Sequence, residues 1–435
     1  MNQGGPLARH IHSVVIAGGG LGGLSAAYFL RMAGIRVTVL EQADEFGEVG
    51  AGIQTAPNAS RILIENGLRP QLEAIKTSPT FQVRRRWSDG SILGIRPLGD
   101  AVWREHGAPY WHFHRADLHR VLLDACADPA TPGPDVHLCT SARVKSVDQS
   151  VGEQPAVVTE DGRRFEADVV IGADGVRSQV REEIMGSDDL RFSGQMVFRV
   201  MVPGESLMKD PATRFLWDSF HSTMWLGPRL HLVHYFIRGG EYLNLGAALQ
   251  SDIPLHDGWT VDTTVDELVA ALATWDSRLT SILKKVEEPV AKWALFAHRR
   301  NPVWVDGHVA LLGDAAHAMV PFQAQGASQA IEDAHVLARE LSVVDKGGIE
   351  AALIRYAARR YRRAGLVQEA SAQNRNFYQM PDGPEQVARD EKLRNFQGES
   401  HISYDWLWSG SEEPMSSGYA FANGGQSAIA SWQKG

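Results

Sequence analysis

Two textures of hydrophobic and polar positions divide the chain. The first opens with a short apolar run, SVVIA (13–17), that stops at Gly18-Gly19-Gly20-Leu21-Gly22-Gly23. LSAAYFLRMAG follows with apolar residues at helical spacing and ends at Gly34, and IRVTVLE then closes on Glu41. Short, continuous apolar runs read as buried parallel strands, so these residues predict one strand–turn–helix–strand unit. Helical spacing returns at about 56–66 and 115–127. Residues 81–86 and 91–96 flank Ser88-Asp89-Gly90, a hairpin signal, and 136–172 reads as short strands with a turn at Asp161-Gly162. The second texture runs from about 190 to 250, where MVFRVMV, TRFLW, TMWLG, LHLVHYFI and YLNLGAAL alternate and are rich in aromatics. They predict a mostly antiparallel sheet. Helical text resumes at 264–284, then a strand HVALLG (308–313) feeds helices over about 326–342 and 349–373. Beyond about 380 periodicity is lost, and 409–435, rich in Gly and Ser, reads as a flexible tail.

Composition narrows the class. With 435 residues, 44% hydrophobic and 22% charged, the chain has the balance of a globular protein of two or three folding units, not a disordered or fibrous one. A net charge of −9 argues against nucleic acid as a partner. Cys126 and Cys139 are the only cysteines, with no CxxC or Cys/His cluster, so no metal, disulfide framework or dithiol centre is expected. No apolar run reaches 18 residues and MNQGGPLARHIH lacks the apolar core of a signal peptide, so we expect a cytoplasmic protein without a transmembrane segment.

Gly18-x-Gly20-x-x-Gly23 sits between strand and helix, and Glu41 falls 18 residues after the last glycine, at the end of the second strand. In that context the first glycine permits the turn and the second admits a pyrophosphate. The third lets helix pack on strand, and the carboxylate accepts from ribose hydroxyls, which favours FAD or NAD over NADP. Two further strings have strand–loop–helix character. ADVVIGADGVRSQVR (167–181) turns at Asp174-Gly175. GDAAHAMVPFQAQGASQAIEDA (313–334) leaves a strand at Asp314 and opens a helix near Gly326, whose N–H groups suit an anion such as a reduced flavin ring.

The three strings together, in this order, resemble the single-component FAD-dependent aromatic hydroxylases of the para-hydroxybenzoate hydroxylase fold. FGEVGAGIQ, GPRLHLVHYFIRGGEYLN (227–244) and YDWLW (404–408) resemble the branch of 3-hydroxybenzoate 6-hydroxylase, salicylate hydroxylase and 6-hydroxynicotinate 3-monooxygenase. The likeness extends from residue 13 to about 410. It implies an α/β architecture: an FAD-binding Rossmann-like domain (1–82, 105–183 and 286–375), an inserted mostly antiparallel substrate sheet (83–104 and 184–285), and a C-terminal helical segment (376–435). It carries cofactor roles to Gly18, Gly20, Gly23, Glu41 and Gln42, and to Val49, Gly50 and Ala51 in the loop that lines the flavin ring. Arg115 matches an arginine beside FAD, and Asp174 and Gly175 match a motif shared by FAD and the nicotinamide pyrophosphate. Gly313 and Asp314 match the motif of the ribityl chain, followed by Pro321, Gly326 and Ala327. The activity implied is hydroxylation of a phenolic, hydroxybenzoate-like ring with O2 and NADH, or NADPH, through a flavin hydroperoxide, by a homodimer. No second GxGxxG follows, which counts against the disulfide reductases. Two alternatives stay open: a same-fold hydroxylase of a larger phenol or quinone-like intermediate, and a flavin- or prenyl-binding protein without oxygenase activity.

In LHLVHYF, alternation puts His231, Val233 and Tyr235 on one face and Leu232, His234 and Phe236 on the other. A histidine titrating near neutrality suits removal of a phenolic proton, and the related enzymes carry His and Tyr at this separation. We therefore expect His231 and Tyr235 to be catalytic, with His234 on the far face. Related enzymes place a glutamine where Pro321 aligns or a histidine near Phe322, so this pocket departs from theirs, with Gln323 and Gln325 as other polar partners. His317 is expected to be structural. Arg199 faces either a substrate carboxylate or water. Of Arg84-Arg85-Arg86 one residue points inward, and Trp217, Phe220 and Trp225 belong to the sheet core.

Overall fold

The computed structural model describes residues 13–47, 50–150, 154–186, 189–217, 220–251, 260–287, 290–394 and 404–410. Val49 and the tail beyond 410 lie outside them. A six-stranded sheet has the order 305–306, 309–311, 169–172, 13–17, 36–40, 137–139, and all its pairs are parallel except the first. Its central strands 13–17 and 169–172 are buried on both faces, which is why they read as unbroken apolar runs. The helix Leu21–Met32 is covered almost all round by the sheet and by the helix Gly326–Leu341, and its Gly, Ala and Leu content lets the three layers approach closely.

An eight-stranded sheet stands beside it in the order 260–263, 290–298, 190–203, 242–250, 230–237, 221–227, 81–86, 92–97. All neighbours are antiparallel except 221–227 with 81–86. One face carries a core of Phe198, Trp225, Leu232, Phe236 and Leu245, capped by the helices Val265–Ala271 and Ser277–Leu283, with Trp217 and Phe220 packed against it. The other face looks toward the nucleotide unit. Val290–His298 belongs to this sheet, across the boundary expected at 286.

Two local expectations are corrected. TRFLW is not a strand: Arg214–Leu216 forms a 3-10 turn after Thr213, whose hydroxyl donates to Leu207 O at 2.8 Å. Beyond 380 a helix, Pro384–Arg394, packs on the strand Ile92–Pro97. It docks through Gln386, Arg389 and Asp390 as well as Leu393, so apolar periodicity does not reveal it. Tyr404–Ser409 forms a last short helix, whose neighbouring Tyr404 and Trp408 rings both meet the Arg96 guanidinium, at 4.0 and 4.4 Å. Of the three consecutive arginines Arg84 points inward, being 2% exposed, while Arg86 pairs with Asp390 at 3.3 Å.

Candidate functional site

The glycine turn lies at the carboxyl ends of the parallel strands, where open α/β sheets bind ligands. Gly18 has φ +103 and its N–H donates to Leu40 O at 2.8 Å; an added Cβ would lie 2.3 Å from Ala173 O. At Gly23 a Cβ would lie 2.0 Å from Gly18 O, so helix and turn touch backbone to backbone. Gly20 starts the helix Leu21–Met32 with no side-chain cap, leaving its first N–H groups for a ligand. Glu41 lies under the turn and accepts from Gly19 N and Ala43 N, both at 2.9 Å. Gln42 beside it is exposed. His119, which the sequence reading missed, holds the turn from behind, with Nε2 2.8 Å from Gly19 O. Across the turn, Arg115 N donates to Ala51 O at 2.8 Å, so Arg115, Gly50 and Ala51 come together.

Asp174 takes a different part from the one its motif suggests. Its carboxylate accepts from Ser178 Oγ at 2.5 Å and from Gln179 N and Val180 N at 2.8 and 3.2 Å, so it caps the helix Gln179–Met185. Burial raises its pKa, and these hydrogen bonds only partly offset that. What this segment offers a ligand is backbone, with Gly175 at φ +80. Arg181, in the same helix, donates to Ala315 O and Ala316 O at 3.0 and 3.2 Å and so ties the segment to the Gly313-Asp314 loop.

Gly313 turns at φ +63, and its N–H donates to Asp333 Oδ2 at 3.0 Å. The same oxygen meets His317 Nε2 at 2.7 Å, giving His317 the structural place expected of it. Arg360 donates to Asp333 Oδ1 and Glu332 Oε2, each at 2.6 Å; Arg363 Nε also reaches Glu332 Oε2 at 2.6 Å. Burial would raise the Glu332 carboxyl, but Arg363 and Arg360 outweigh it and bring it down to about 2. Asp314 itself is exposed, and its Oδ1 lies 3.9 Å from where a Cβ on Gly326 would sit. The helix Gly326–Leu341 begins there, with Ala327 in its first turn and no side-chain cap.

These donors fit FAD. Two uncapped helix N-termini suit a diphosphate and an anionic ring, and Glu41 and Asp314 are carboxylates available to sugar hydroxyls. Ser328 Oγ, in the first turn of the second helix, is buried and has no hydrogen-bond partner among the described residues. A cavity of about 690 Å³ opens at the opposite, amino ends of the strands, lined by Ser13, Arg36, Thr38, His137 and Lys346, away from every one of these groups.

The loop between Asp314 and Gly326 crosses to the second sheet. Pro321 is exposed, Ala324 sits at φ +52, and Phe322 is buried with its ring 4.8 Å from that of His231, edge to face. Alternation holds along the strand Leu230–Ile237. His231 and Tyr235 face the loop, while His234 lies in the far core, where its Nε2 accepts from Trp225 Nε1 at 3.1 Å. His231 is 4% exposed, and desolvation pushes its pKa down to about 3, so it does not titrate near neutrality as the sequence reading expects. Its Nδ1 lies 3.1 Å from Gln379 Nε2. The Tyr235 ring lies 4.3 Å from that of His112, tilted against it, and Tyr235 is hydrogen-bonded to Gln54, whose Oε1 accepts from Tyr110. Gly52 reaches this cluster because it lacks a side chain: a Cβ would lie 2.7 Å from the Tyr235 ring. Arg199 is exposed on the same face, 5.9 Å over the Trp293 ring, and its charge opposes the raising of the Tyr235 pKa by burial. Gln379 and His112 left no signal in the sequence, since each is polar in a stretch that pattern alone does not bring to this face; Gln54 ends the FGEVGAGIQ string, which marks the segment but not this side chain.

Residues 12–371 match the family described as FAD binding domain. The chain is 37% identical over 421 residues to 3-amino-4-hydroxybenzoate 2-monooxygenase PtnB3 of Streptomyces platensis, covering 94% of this chain and 99% of that protein. It is 34% identical over 401 residues to 3-hydroxybenzoate 6-hydroxylase 1 of Aquipseudomonas alcaligenes, covering 91% and 97%. A solved salicylate hydroxylase substrate complex shares the fold, with TM-score 0.75 and 23% identity over 92% of this chain and 96% of that one. The chain belongs to the FAD binding domain family. With named aromatic monooxygenases matching it almost end to end, it is a flavoprotein aromatic monooxygenase.

Proposed function

We propose that the enzyme hydroxylates a phenolic ring bearing a carboxylate, held between the Pro321-Phe322 loop and the sheet face of His231 and Tyr235. The observation that carries this reading is the 4.8 Å contact of Phe322, next to the flavin-type helix start, with His231. In this reading Gly18, Gly20, Gly23 and Glu41 hold the adenosine diphosphate part of FAD, with Gln42 at the rim. Gly313 and Asp314 hold its ribityl chain, and Gly50, Ala51, Arg115, Pro321, Gly326 and Ala327 surround its ring. Gly175 contributes backbone, and Asp174 shapes that backbone. Bound FAD supplies the reduction by NADH or NADPH and the oxygen transfer from O2. The chain's own residues orient the ring, exclude water and stabilise charge. The helix at Gly326 directs N–H groups at an anionic flavin ring. Arg199 gives the face a positive charge suited to a carboxylate, and hydroxybenzoates figure in the names of both relatives above. Assembly as a homodimer and a cytoplasmic location belong to the same reading.

The test is NADH consumption by the purified protein with 3-hydroxybenzoate, salicylate and 6-hydroxynicotinate, with peroxide and product quantified. One acid that stimulates consumption and yields a hydroxylated product with little peroxide supports the reading; peroxide alone from all three overturns the substrate class. A larger phenol or quinone-like ring is the second reading, favoured by the apolar Phe322 against His231.

A further inference from the structure

We infer that Gln379 holds His231 as its Nε2–H tautomer, so that His231 serves hydroxylation as a hydrogen-bond donor to the substrate's phenolic oxygen and not as the base that takes its proton. The inference rests on the reading that the His231 face binds the substrate.

Gln379 caps the thirty-residue helix Ile349–Tyr378 and is 2% exposed. One atom of its amide meets three neighbours: Gln195 Oε1 at 2.7 Å, Ala248 O at 3.1 Å and His231 Nδ1 at 3.1 Å. The orientation of that amide follows from the first two. A backbone carbonyl only accepts, and Gln195 is itself oriented by its Nε2 donating to Gly194 O at 3.1 Å, which turns its oxygen toward Gln379. Two acceptors on one atom make that atom the NH2 group; the flipped amide would set oxygen against oxygen twice. The NH2 group has two N–H bonds for three acceptors, so one N–H is shared; because an amide nitrogen does not accept, a proton on Nδ1 would have no partner there, and Nδ1 presents its lone pair. Burial keeps the ring neutral, with a pKa near 3, and a neutral imidazole that accepts at Nδ1 carries its proton on Nε2.

That Nε2–H has no hydrogen-bond partner among the described residues, and Phe322 and Tyr378 pack on the ring at 4.8 and 5.2 Å. A phenolic oxygen arriving between sheet and loop meets a fixed donor in a water-poor setting. Such a donor favours the phenolate, whose O–H proton passes to the buffer on binding while the electron pair stays on oxygen. His112 shows the opposite arrangement on the same face. It is bonded to the backbone of Phe236, and its Nε2 has no hydrogen-bond partner among the described residues.

The test has two arms. In the first, two-bond proton–nitrogen spectra of histidine-labelled protein report the tautomer, assigned with His231→Gln. The wild type should show His231 protonated at Nε2, and Gln379→Leu should shift the signal toward a tautomer mixture; a proton on Nδ1 in the wild type overturns the inference. In the second, His231→Gln retains an amide N–H at a similar reach but no basic nitrogen, and is compared with His231→Phe. Removal of a donor of this kind costs roughly 100-fold, so His231→Phe should lose about that much coupled product. His231→Gln should stay within about tenfold of wild type, since only the donor is needed. Equal loss in both variants, while the wild type hydroxylates, overturns the donor role. A wild type that hydroxylates none of the three acids overturns the substrate reading instead, and the spectra still decide the tautomer.

Discussion

The cradle at the glycine turn and the face around His231 are built on opposite principles. In the cradle the main chain makes the site: Gly18 and Gly23 matter for atoms they lack, Gly20 opens the helix without a side-chain cap, and the carboxylates of Glu41 and Asp174 are held by neighbouring backbone N–H groups. Around His231 the main chain is an ordinary ladder, and the site consists of buried polar side chains held by partners far along the sequence. Gln379 lies 148 residues from His231 and 184 from Gln195. A site of the first kind fails by collision, and one of the second kind fails by loss of partners while the fold persists.

Collision should give the largest effect. In Gly23→Val the new Cβ meets Gly18 O at 2.0 Å, a backbone atom that has no rotamer to yield. Loss of about 4 kcal/mol or more is expected, in the range reserved for severe core defects, together with loss of bound flavin. Urea midpoints and the flavin-to-protein absorbance ratio check it. A stable, yellow Gly23→Val would show that the backbone contact is not what sets the cradle. Next comes Arg360→Met, which leaves Asp333 and Glu332 buried with less than their full complement of donors. Breaking a buried pair costs about 3–5 kcal/mol. Because Asp333 also orients Gly313 N and His317, flavin affinity should fall further than in a surface variant of equal stability. Equal affinity at matched stability would separate the charge network from the cradle.

The same contrast explains what could be read from the sequence. Gly18 through Gly23 and Glu41 are legible because turn, helix start and strand end are contiguous and each glycine has a steric reason. The alternation that sets His231 against His234 is legible for the same cause, since a strand alternates whatever surrounds it. Asp174 shows the limit: its motif is recognisable, but the hydrogen bonds to Ser178 Oγ and the Gln179 and Val180 amides that occupy its carboxylate appear only once the helix is in place. Pro384–Arg394 escapes because its docking side is Gln386, Arg389 and Asp390, with Val387 half exposed. Gln379 escapes because it acts one residue beyond a helix whose end the pattern sets at about 373. TRFLW misleads because its aromatic alternation belongs to a turn that packs on the sheet core.

On the face side, Arg199→Met tests the charge offered to a substrate carboxylate. Arg199 is exposed and lies beside Trp293, so its loss should leave folding unchanged within about 0.5 kcal/mol. KM for a carboxylated phenol should rise about tenfold with little change in kcat, the mark of lost uniform binding. An unchanged KM for the acid would move the carboxylate contact off this face and favour the larger, uncharged ring.

The smallest effect is a slope. His112, His231 and His234 are all buried, and desolvation, with Arg85 and His221 adding to it at His234, lowers each to about 3. In the unfolded chain each regains a pKa of about 6.5, so the unfolded state binds the proton first as pH falls. Their contribution is therefore complete above about 6.5 and is lost as pH drops from there toward 3. Each histidine costs about 0.7 kcal/mol between pH 7 and pH 6, and more below. His234→Leu forfeits the hydrogen bond from Trp225 and lowers stability at pH 7.5, but it also removes one of the three protons. Chemical denaturation at pH 7.5, 6.5 and 5.5 should then show the wild type losing stability more steeply than the variant. Parallel slopes would mean that His234 protonates in the native state, which would require the far side of the sheet to admit water where Trp225 and its neighbours now exclude it.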